Sequence, residues 1–259
     1  IHMSAILILF KLVDAPYINH GKFTTLYSLL GGHQEYSKGK MACSKIKTVG
    51  KYDIDTGNEL GRGSYGAVFM GEHFQTKEQV VAKKLFLDVL PREYAVSEVA
   101  ILKLGVRHEN IVQILFDEEK DNEFWIVMEY CDKGNLSQYA KDTPLDLFAK
   151  IDIGHQCSDA LVYLLNLKPK RVIHRDLKPP NILLLTRLDK EGVLAKISDF
   201  GLSRAIGSAT VTKLGTQAGT LHFMAPEMFD EDEEATYNRA VDVFALGIVI
   251  HYLLKVMKI

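Results

Sequence analysis

Three polar side chains stand close together in the later half of the 259-residue chain: Asp176, Lys178 and Asn181, in the run VIHRDLKPPNILL from Val172 to Leu184. Within the span His174 to Asn181 they offer a carboxylate that can act as a base, a cation, and a neutral oxygen that can bind a metal. Apolar residues flank them on both sides, which reads as a loop pinned between buried strands. A loop held that way keeps polar groups in fixed geometry. Phosphoryl transfer needs this, because its catalysis is mostly positioning and charge stabilisation. Standing alone, the stretch would read as a charged surface turn, so the rest of the chain decides.

A second group lies upstream. Gly61-Arg62-Gly63-Ser64-Tyr65-Gly66-Ala67-Val68 spells GxGxxGxV. Glycines there let backbone amides approach phosphate oxygens without side-chain obstruction. A dinucleotide-binding fold would put a helix directly after such a turn. The residues that follow, AVFMGEHF, read as a strand, so that reading loses. The next strand, EQVVAKKLF, carries two lysines, and a lysine buried there needs an anion such as a nucleotide phosphate. Successive strand side chains point to opposite faces, so one of Lys83 and Lys84 faces inward. Lys84 is the expected one, with Ala82 leaving room on the same face for a flat base. Were Lys83 inward, Val81 would take that place. Glu98, within the apolar face of a helical segment, is the expected ion-pair partner of Lys84. Farther on, Asp199-Phe200-Gly201 puts a carboxylate, an aromatic plug and a flexible glycine at a strand end. Asp199 and Asn181 together supply oxygen ligands suited to Mg²⁺, a hard cation.

These groups need elements to hold them. From Asn58, NELGRGSYGAVFMGEHF reads as two strands joined by the glycine turn, and EQVVAKKLF as a third. REYAVSEVAILKLG has helical spacing, with Val96, Val99 and Leu102 on the expected buried face and Gly105 closing it. NIVQILF and EFWIVMEY read as two more strands across a polar turn at 117–122. The expectation is a small lobe of five strands and one helix over 51–130, a polar bridge CDKGNL at 131–136, and a mainly helical region over 137–259. Thr143-Pro144 with Asp146 reads as a helix start: a capping hydroxyl, an early proline, and an acid near the positive end. Leu147, Ile151, Gly154, Cys157, Leu161 and Leu164 mark the expected buried face of that helix. EGVLAKISDFG returns as a hairpin, APEMF opens a helix, and the acidic run Asp230 to Glu234 reads as a solvated loop. The last helix, Arg239 to Leu254, is apolar nearly all round, so burial on every side is expected. Residues up to Lys40 show no sustained periodicity. Residues 1–50 are read as an extension that is not a domain, with Met41 as the natural start.

Taken together and in this order, the glycine loop, VAKK, Glu98, HRDLKPPN, DFG and APE resemble a eukaryotic protein kinase catalytic domain over about Tyr52 to Leu254. The resemblance implies an α+β, bilobal fold: a five-stranded antiparallel N-lobe with one helix, and a mainly helical C-lobe. It implies ATP as phosphoryl donor and Mg²⁺ as cofactor. Gly61, Gly63, Gly66 and Val68 would cover the nucleotide, Ala82 and Leu183 would line it, and the strand lysine, Lys83 or Lys84, would hold its phosphates. Met128 would gate the pocket, and Glu129 to Cys131 would form the hinge that meets adenine. Asp176 would orient the substrate hydroxyl as base, Lys178 would steady the phosphoryl group, and Asn181 and Asp199 would hold the metal. Lys178 and the sequence GTLHFMAPE resemble the serine/threonine class, with mild similarity to its tyrosine-kinase-like branch. That implies protein substrates carrying Ser or Thr, with Thr220 beside the substrate hydroxyl. Arg175 before Asp176 implies control by phosphorylation of the activation segment, with Thr216 the first candidate for an upstream kinase and Thr212 the second.

Composition excludes little but points the same way. A net charge of −2 carries no basic excess that asks for nucleic acid or an anionic membrane. The three cysteines, Cys43, Cys131 and Cys157, have no metal spacing and read as reduced thiols of a cytoplasmic, or else nuclear, protein. Ala5 to Val13 is short and interrupted by Lys11, which argues against a signal peptide. Ala240 to Leu254 falls short of the ~20 residues that span a bilayer. Two departures from the family pattern stand out. Phe244 stands where the family usually has tryptophan, and the resemblance implies further helices after the one holding Asp242, with an arginine that pairs with Glu227, where this sequence stops at Ile259. An unpaired Glu227, if buried, would cost roughly 3–5 kcal/mol, and the last helix would show apolar surface. A pseudokinase scaffold is therefore the alternative reading, and a small-molecule kinase a weaker third.

Overall fold

Valine, isoleucine and aromatic residues recur along 46–85 and 114–129, and both stretches form strands. The computed structural model describes residues 45–105, 107–168, 171–189, 191–202, 204–205, 221–229 and 240–255. The strands are β1 (Ile46–Val49), β2 (Tyr52–Gly63), β3 (Gly66–His73), β4 (Gln79–Leu85), β5 (Ile114–Lys120) and β6 (Glu123–Glu129). They make one sheet in the order β1-β2-β3-β4-β6-β5, every pair antiparallel. The sheet thus has six strands where five were expected. The extra strand, β1, pairs Val49 with Tyr52 across a turn in which Gly50 takes φ +57°. The boundary expected at residue 50 therefore cuts a hairpin. A four-residue strand with lysine and threonine in its middle carries too little alternation to be seen without its partner.

The glycine turn joins β2 to β3, with Gly63 opposite Gly66. Gly66 is required by close approach: a Cβ there would lie 2.5 Å from the Lys84 carbonyl oxygen on β4. A Cβ on Gly61 would meet nothing within 4 Å.

Helix α1 (Arg92–Gly105) carries Glu93 in its first turn and Lys103 in its last, matching its dipole. Ala95, Glu98, Val99 and Leu102 form its buried face. Val96, expected there, is exposed, because the buried stripe is centred one residue to the side. Helix α2 (Leu136–Asp142) is short and was not foreseen; Asn135 caps it by accepting from the Gln138 N–H at 3.0 Å. Its presence displaces the expected start of the next helix, α3 (Leu147–Asn166). Thr143 ends α2 instead, and Asp146 caps α3 by accepting from the Ala149 N–H at 2.7 Å. Gly154, Cys157, Leu161 and Leu164 are buried on α3 with Ile153 and Ala160, whereas Leu147 and Ile151 are exposed.

Strand β7 (Val172–Ile173) pairs with β10 (Arg204–Ala205), and β8 (Ile182–Thr186) pairs with β9 (Val193–Ile197) as the expected hairpin. Helix α4 (Ala240–Lys255) packs on α3 where Gly154 faces Ile250. It is buried along Val241, Asp242, Ala245, Leu246, Val249 and Leu253, but Val243 and Phe244 are exposed, so among the described residues it is covered on one side. The APE motif lies in a short 3-10 turn, Pro226–Phe229, rather than a helix, with Ala225 packed on Ile173 and Val241. Glu227 is exposed, so the penalty for a buried unpaired carboxylate does not arise. The expectations on residues 1–40, Met41, Thr212, Thr216, Thr220 and Asp230 to Glu234 lie outside the described residues.

The largest core runs from α1 through α3 to β8, β9 and α4. A second core, built on Val49, Ile54, Ala67, Phe69, Val80, Ala82, Trp125 and Val127, covers the other face of the sheet. Both faces of β4 are therefore apolar, which bears directly on the two lysines.

Candidate active site

Strand register decides which lysine enters the site. Lys83 lies between Val68 on β3 and Ile126 on β6, and Lys84 between Ala67 and Trp125. Lys83 thus shares a face with Val68, Val81 and Met128, and its Nζ lies 2.7 Å from Glu98 Oε1 and 2.8 Å from Asp199 Oδ1. Lys84 points the other way, to Glu123 and over the Trp125 ring. The expected Lys84–Glu98 pair is therefore corrected to Lys83–Glu98. Ala82 goes with Lys84 into the second core, and Val81, opposite Met128, takes the place expected of Ala82. Alternation alone could not decide this, since each face of VVAKKL offers one lysine among apolar neighbours.

The charges of this cluster hold one another. Burial works against the Lys83 ammonium, but Asp199 and Glu98 outweigh it and keep its pKa above the ordinary lysine value. Lys83 likewise holds the Asp199 carboxyl below its usual range. Glu98 is 3% exposed, and burial pushes its carboxyl up despite the pull of Lys83. Among the described residues its Oε2 has no hydrogen-bond partner, and it sits where a side chain on Gly201 would reach it, 3.4 Å from an added Cβ.

The catalytic-loop candidates form a second cluster. Lys178 Nζ is 2.8 Å from Asp176 Oδ2, and Asn181 Nδ2 donates to that same oxygen at 3.0 Å and to the Asp176 carbonyl at 2.9 Å. Asp176 Oδ1 is buried with no hydrogen-bond partner among the described residues, which leaves one carboxylate oxygen available there as an acceptor. The two clusters are tied through Ser198, whose N–H and hydroxyl both donate to the Asn181 carbonyl, at 2.9 and 3.0 Å. Asp199 follows directly, with φ +62°, and Arg175 stands at φ +71°. Two non-glycine residues in this region imply backbone strain that the surroundings must hold.

Those surroundings include a residue whose part the sequence reading missed. Asp242 on α4 is buried, and its carboxylate accepts from the His174 N–H and the Arg175 N–H, each at 2.8 Å. Burial pushes its carboxyl up even so. A lone acid inside an otherwise apolar helix was the available signal. His174 is fully buried; its Nδ1 accepts from the Asp176 N–H at 3.3 Å, its Nε2 lies 3.0 Å from the Ser198 carbonyl, and its ring meets Phe200 edge-on.

The hinge candidates lie at the end of β6. Cys131 is buried, and burial, with Glu129 adding to it, pushes its thiol up to about 12, so it is unreactive. Leu183 is half-buried on β8, which is bonded to this segment: the Lys133 N–H donates to the Leu184 carbonyl at 3.0 Å and the Leu184 N–H to the Gly134 carbonyl at 2.8 Å.

Oxygen is the only donor type that Asn181 and Asp199 can offer a metal. Asn181 spends its amide nitrogen on Asp176, which leaves its carbonyl oxygen, and Asp199 spends one oxygen on Lys83. Among the described residues no group of three His, Cys, Asp or Glu side chains forms a complete metal cage. A hard divalent ion here would complete its shell from phosphate and water, the habit of Mg²⁺.

A family model described as protein kinase domain matches residues 54–258. Misshapen-like kinase 1 of Rattus norvegicus is 32% identical over 197 residues, covering 73% of this chain and 14% of that protein. Serine/threonine-protein kinase pakA of Talaromyces marneffei is 34% identical over 193 residues, covering 74% of this chain and 28% of its own length. Serine/threonine-protein kinase ste20 of Aspergillus oryzae is 34% identical over 193 residues, covering 74% and 21%. The chain spans less than a third of the length of each of these relatives. Their names give no support to the similarity with the tyrosine-kinase-like branch.

Proposed function

Because the chain belongs to the protein kinase domain family, we propose that it transfers the γ-phosphoryl group of ATP to a serine or threonine hydroxyl of a protein substrate. The observation that carries this reading is the Lys83 ammonium bridging Glu98 and Asp199, in a chain that also joins Asp176, Lys178 and Asn181.

In this reading the Gly61–Gly66 hairpin covers the nucleotide phosphates and Lys83 holds them, fixed by Glu98. The attacking oxygen of the substrate forms its bond to the γ-phosphorus as the bond to the β-phosphate oxygen breaks. Asp176 orients the hydroxyl and receives its proton. Lys178 balances charge on the transferred group. Asn181 and Asp199 would hold Mg²⁺, which supplies positive charge against the phosphate oxygens when bound. Val81, Val68, Met128, Leu183 and the backbone of Glu129 to Cys131 form the adenine side. Thr216, or else Thr212, is the proposed site of an upstream kinase, with Arg175 as the cation that reads the phosphate. The buried thiols Cys131 and Cys157 support a reducing setting, cytoplasmic or nuclear. Among the described residues no helix is long and apolar enough to cross a membrane.

The test is transfer of labelled γ-phosphate to a generic protein substrate by the whole chain, with Asp176→Asn as control. A loss of about 10²–10⁴-fold is expected for the variant, the usual worth of a positioned base. Equal signal from both proteins refutes the reading.

A further inference from the structure

One partly buried ion pair near the site has no part in the chemistry above. Lys196 lies on β9, three residues before Asp199, with a side chain 5% exposed. Its Nζ is 2.9 Å from Glu129 Oε1 and donates to the Glu109 carbonyl at 2.8 Å. Glu129 is the last residue of β6, at the head of the adenine-side segment. It is fixed a second time by the α1–β5 connection. The Gln113 N–H donates to Glu129 Oε1 at 2.7 Å, and the Glu129 N–H donates to the Gln113 carbonyl at 3.0 Å. The same connection grips β9: the Val112 N–H donates to the Ile197 carbonyl at 3.0 Å and the Ile197 N–H to the Asn110 carbonyl at 2.9 Å. One ammonium thus joins three segments, the strand that leads to Asp199, the 109–113 connection and the start of the hinge.

We propose that Lys196 is a positioning residue that sets the span between the adenine-side segment and Asp199 through its bridge to Glu129. This rests on the kinase reading above. A nucleotide bound between Glu129 to Cys131 and Asp199 touches both ends of that span at once. Holding the span before binding lowers the ordering cost that binding must meet. Releasing it weakens nucleotide binding more than it slows the chemical step, because Lys83, Asp176 and Asn181 keep their own partners.

The experiment is a double-mutant cycle on the whole chain with Lys196→Met, Glu129→Gln and the two combined. It measures KM for ATP, kcat, the affinity for Mg-ATP by direct titration, and the melting temperature. Each single variant is expected to raise KM for ATP and weaken titrated affinity about fivefold, with a smaller change in kcat. The combined variant should resemble a single one, since both remove one interaction. Lys196→Met leaves the Glu129 carboxylate, 21% exposed, without its cation but still accepting from the Gln113 N–H, and can lower stability; Glu129→Gln is isosteric and neutral, and the pair removes both charges. A lower melting temperature with KM and affinity unchanged marks a merely structural bridge and overturns the proposal. So do multiplicative effects in the cycle, or ATP bound as tightly as by the wild-type chain. A wild-type chain that neither binds nor transfers from ATP overturns the kinase reading and this inference with it.

Discussion

Replacing Lys83 by methionine separates the site described here from the one the sequence suggested. The ammonium makes two charge-assisted hydrogen bonds, at 2.7 Å to Glu98 and 2.8 Å to Asp199. Such bonds contribute about 1.5–3 kcal/mol each. Losing both strands the Glu98 carboxylate, which is 3% exposed, and breaking a buried pair costs about 3–5 kcal/mol. Part of this is recovered because burial already raises the Glu98 pKa, so the orphaned acid takes up a proton. A net destabilisation of about 3 kcal/mol is expected. The phosphoryl-transfer rate should fall about 10²–10³-fold, the scale for removing one preorganised charge donor. Lys84→Met is the matched control. Glu123 keeps Lys47 and the Trp125 indole N–H after that change, so the loss is under about 1 kcal/mol. Transfer should stay within about twofold of wild type, as for a substitution away from the site. Initial rates of γ-phosphate transfer and thermal melting on both variants check this. A larger rate loss for Lys84→Met than for Lys83→Met refutes the register reasoning.

Asp242→Ala should destabilise the chain by about 2–5 kcal/mol, because two buried N–H groups, on His174 and Arg175, lose their acceptor; denaturant unfolding measures it. Gly66→Ala should cost about 1–3 kcal/mol, since its Cβ would lie 2.5 Å from the Lys84 carbonyl. Gly61→Ala meets open space and should leave stability within about 0.5 kcal/mol, and a melting comparison of the two checks this difference, equal losses counting against it. Glu123 has its carboxyl held down to about 2; burial opposes this, but hydrogen bonds from Lys47, Lys84 and Trp125 outweigh it. A depressed acid stabilises the fold above its unfolded value of 4.5, and that share is lost as pH falls toward about 2. Glu123→Gln should therefore flatten the acid limb of a stability-versus-pH curve between those values, and an unchanged limb would count against the assignment.

How much of this was legible in the sequence differs from element to element. Local chemistry was readable where it is carried by adjacent residues. Asp176, Lys178 and Asn181 sit in one short loop, and the structure joins them through a single carboxylate oxygen. The glycine turn, the β8–β9 hairpin and the helical spacing around Glu98 were readable for the same reason, since turns and periodicities are properties of contiguous chain. Tertiary structure decided what depends on partners far away in sequence. Lys83 and Lys84 are chemically alike and flanked alike; the pairing of β4 with β3 and β6 chose between them. Strand β1 exists because β2 completes its hydrogen bonds, and Val96 and Ile151 lie outward because their neighbours fill the space facing the core. Asp242 and Lys196 lie 68 and 67 residues from partners they hold, His174 and Glu129. Residue types and order along the chain announced the chemistry, while the burial of each charge and the face it points to were settled only when separate strands and helices closed over one another.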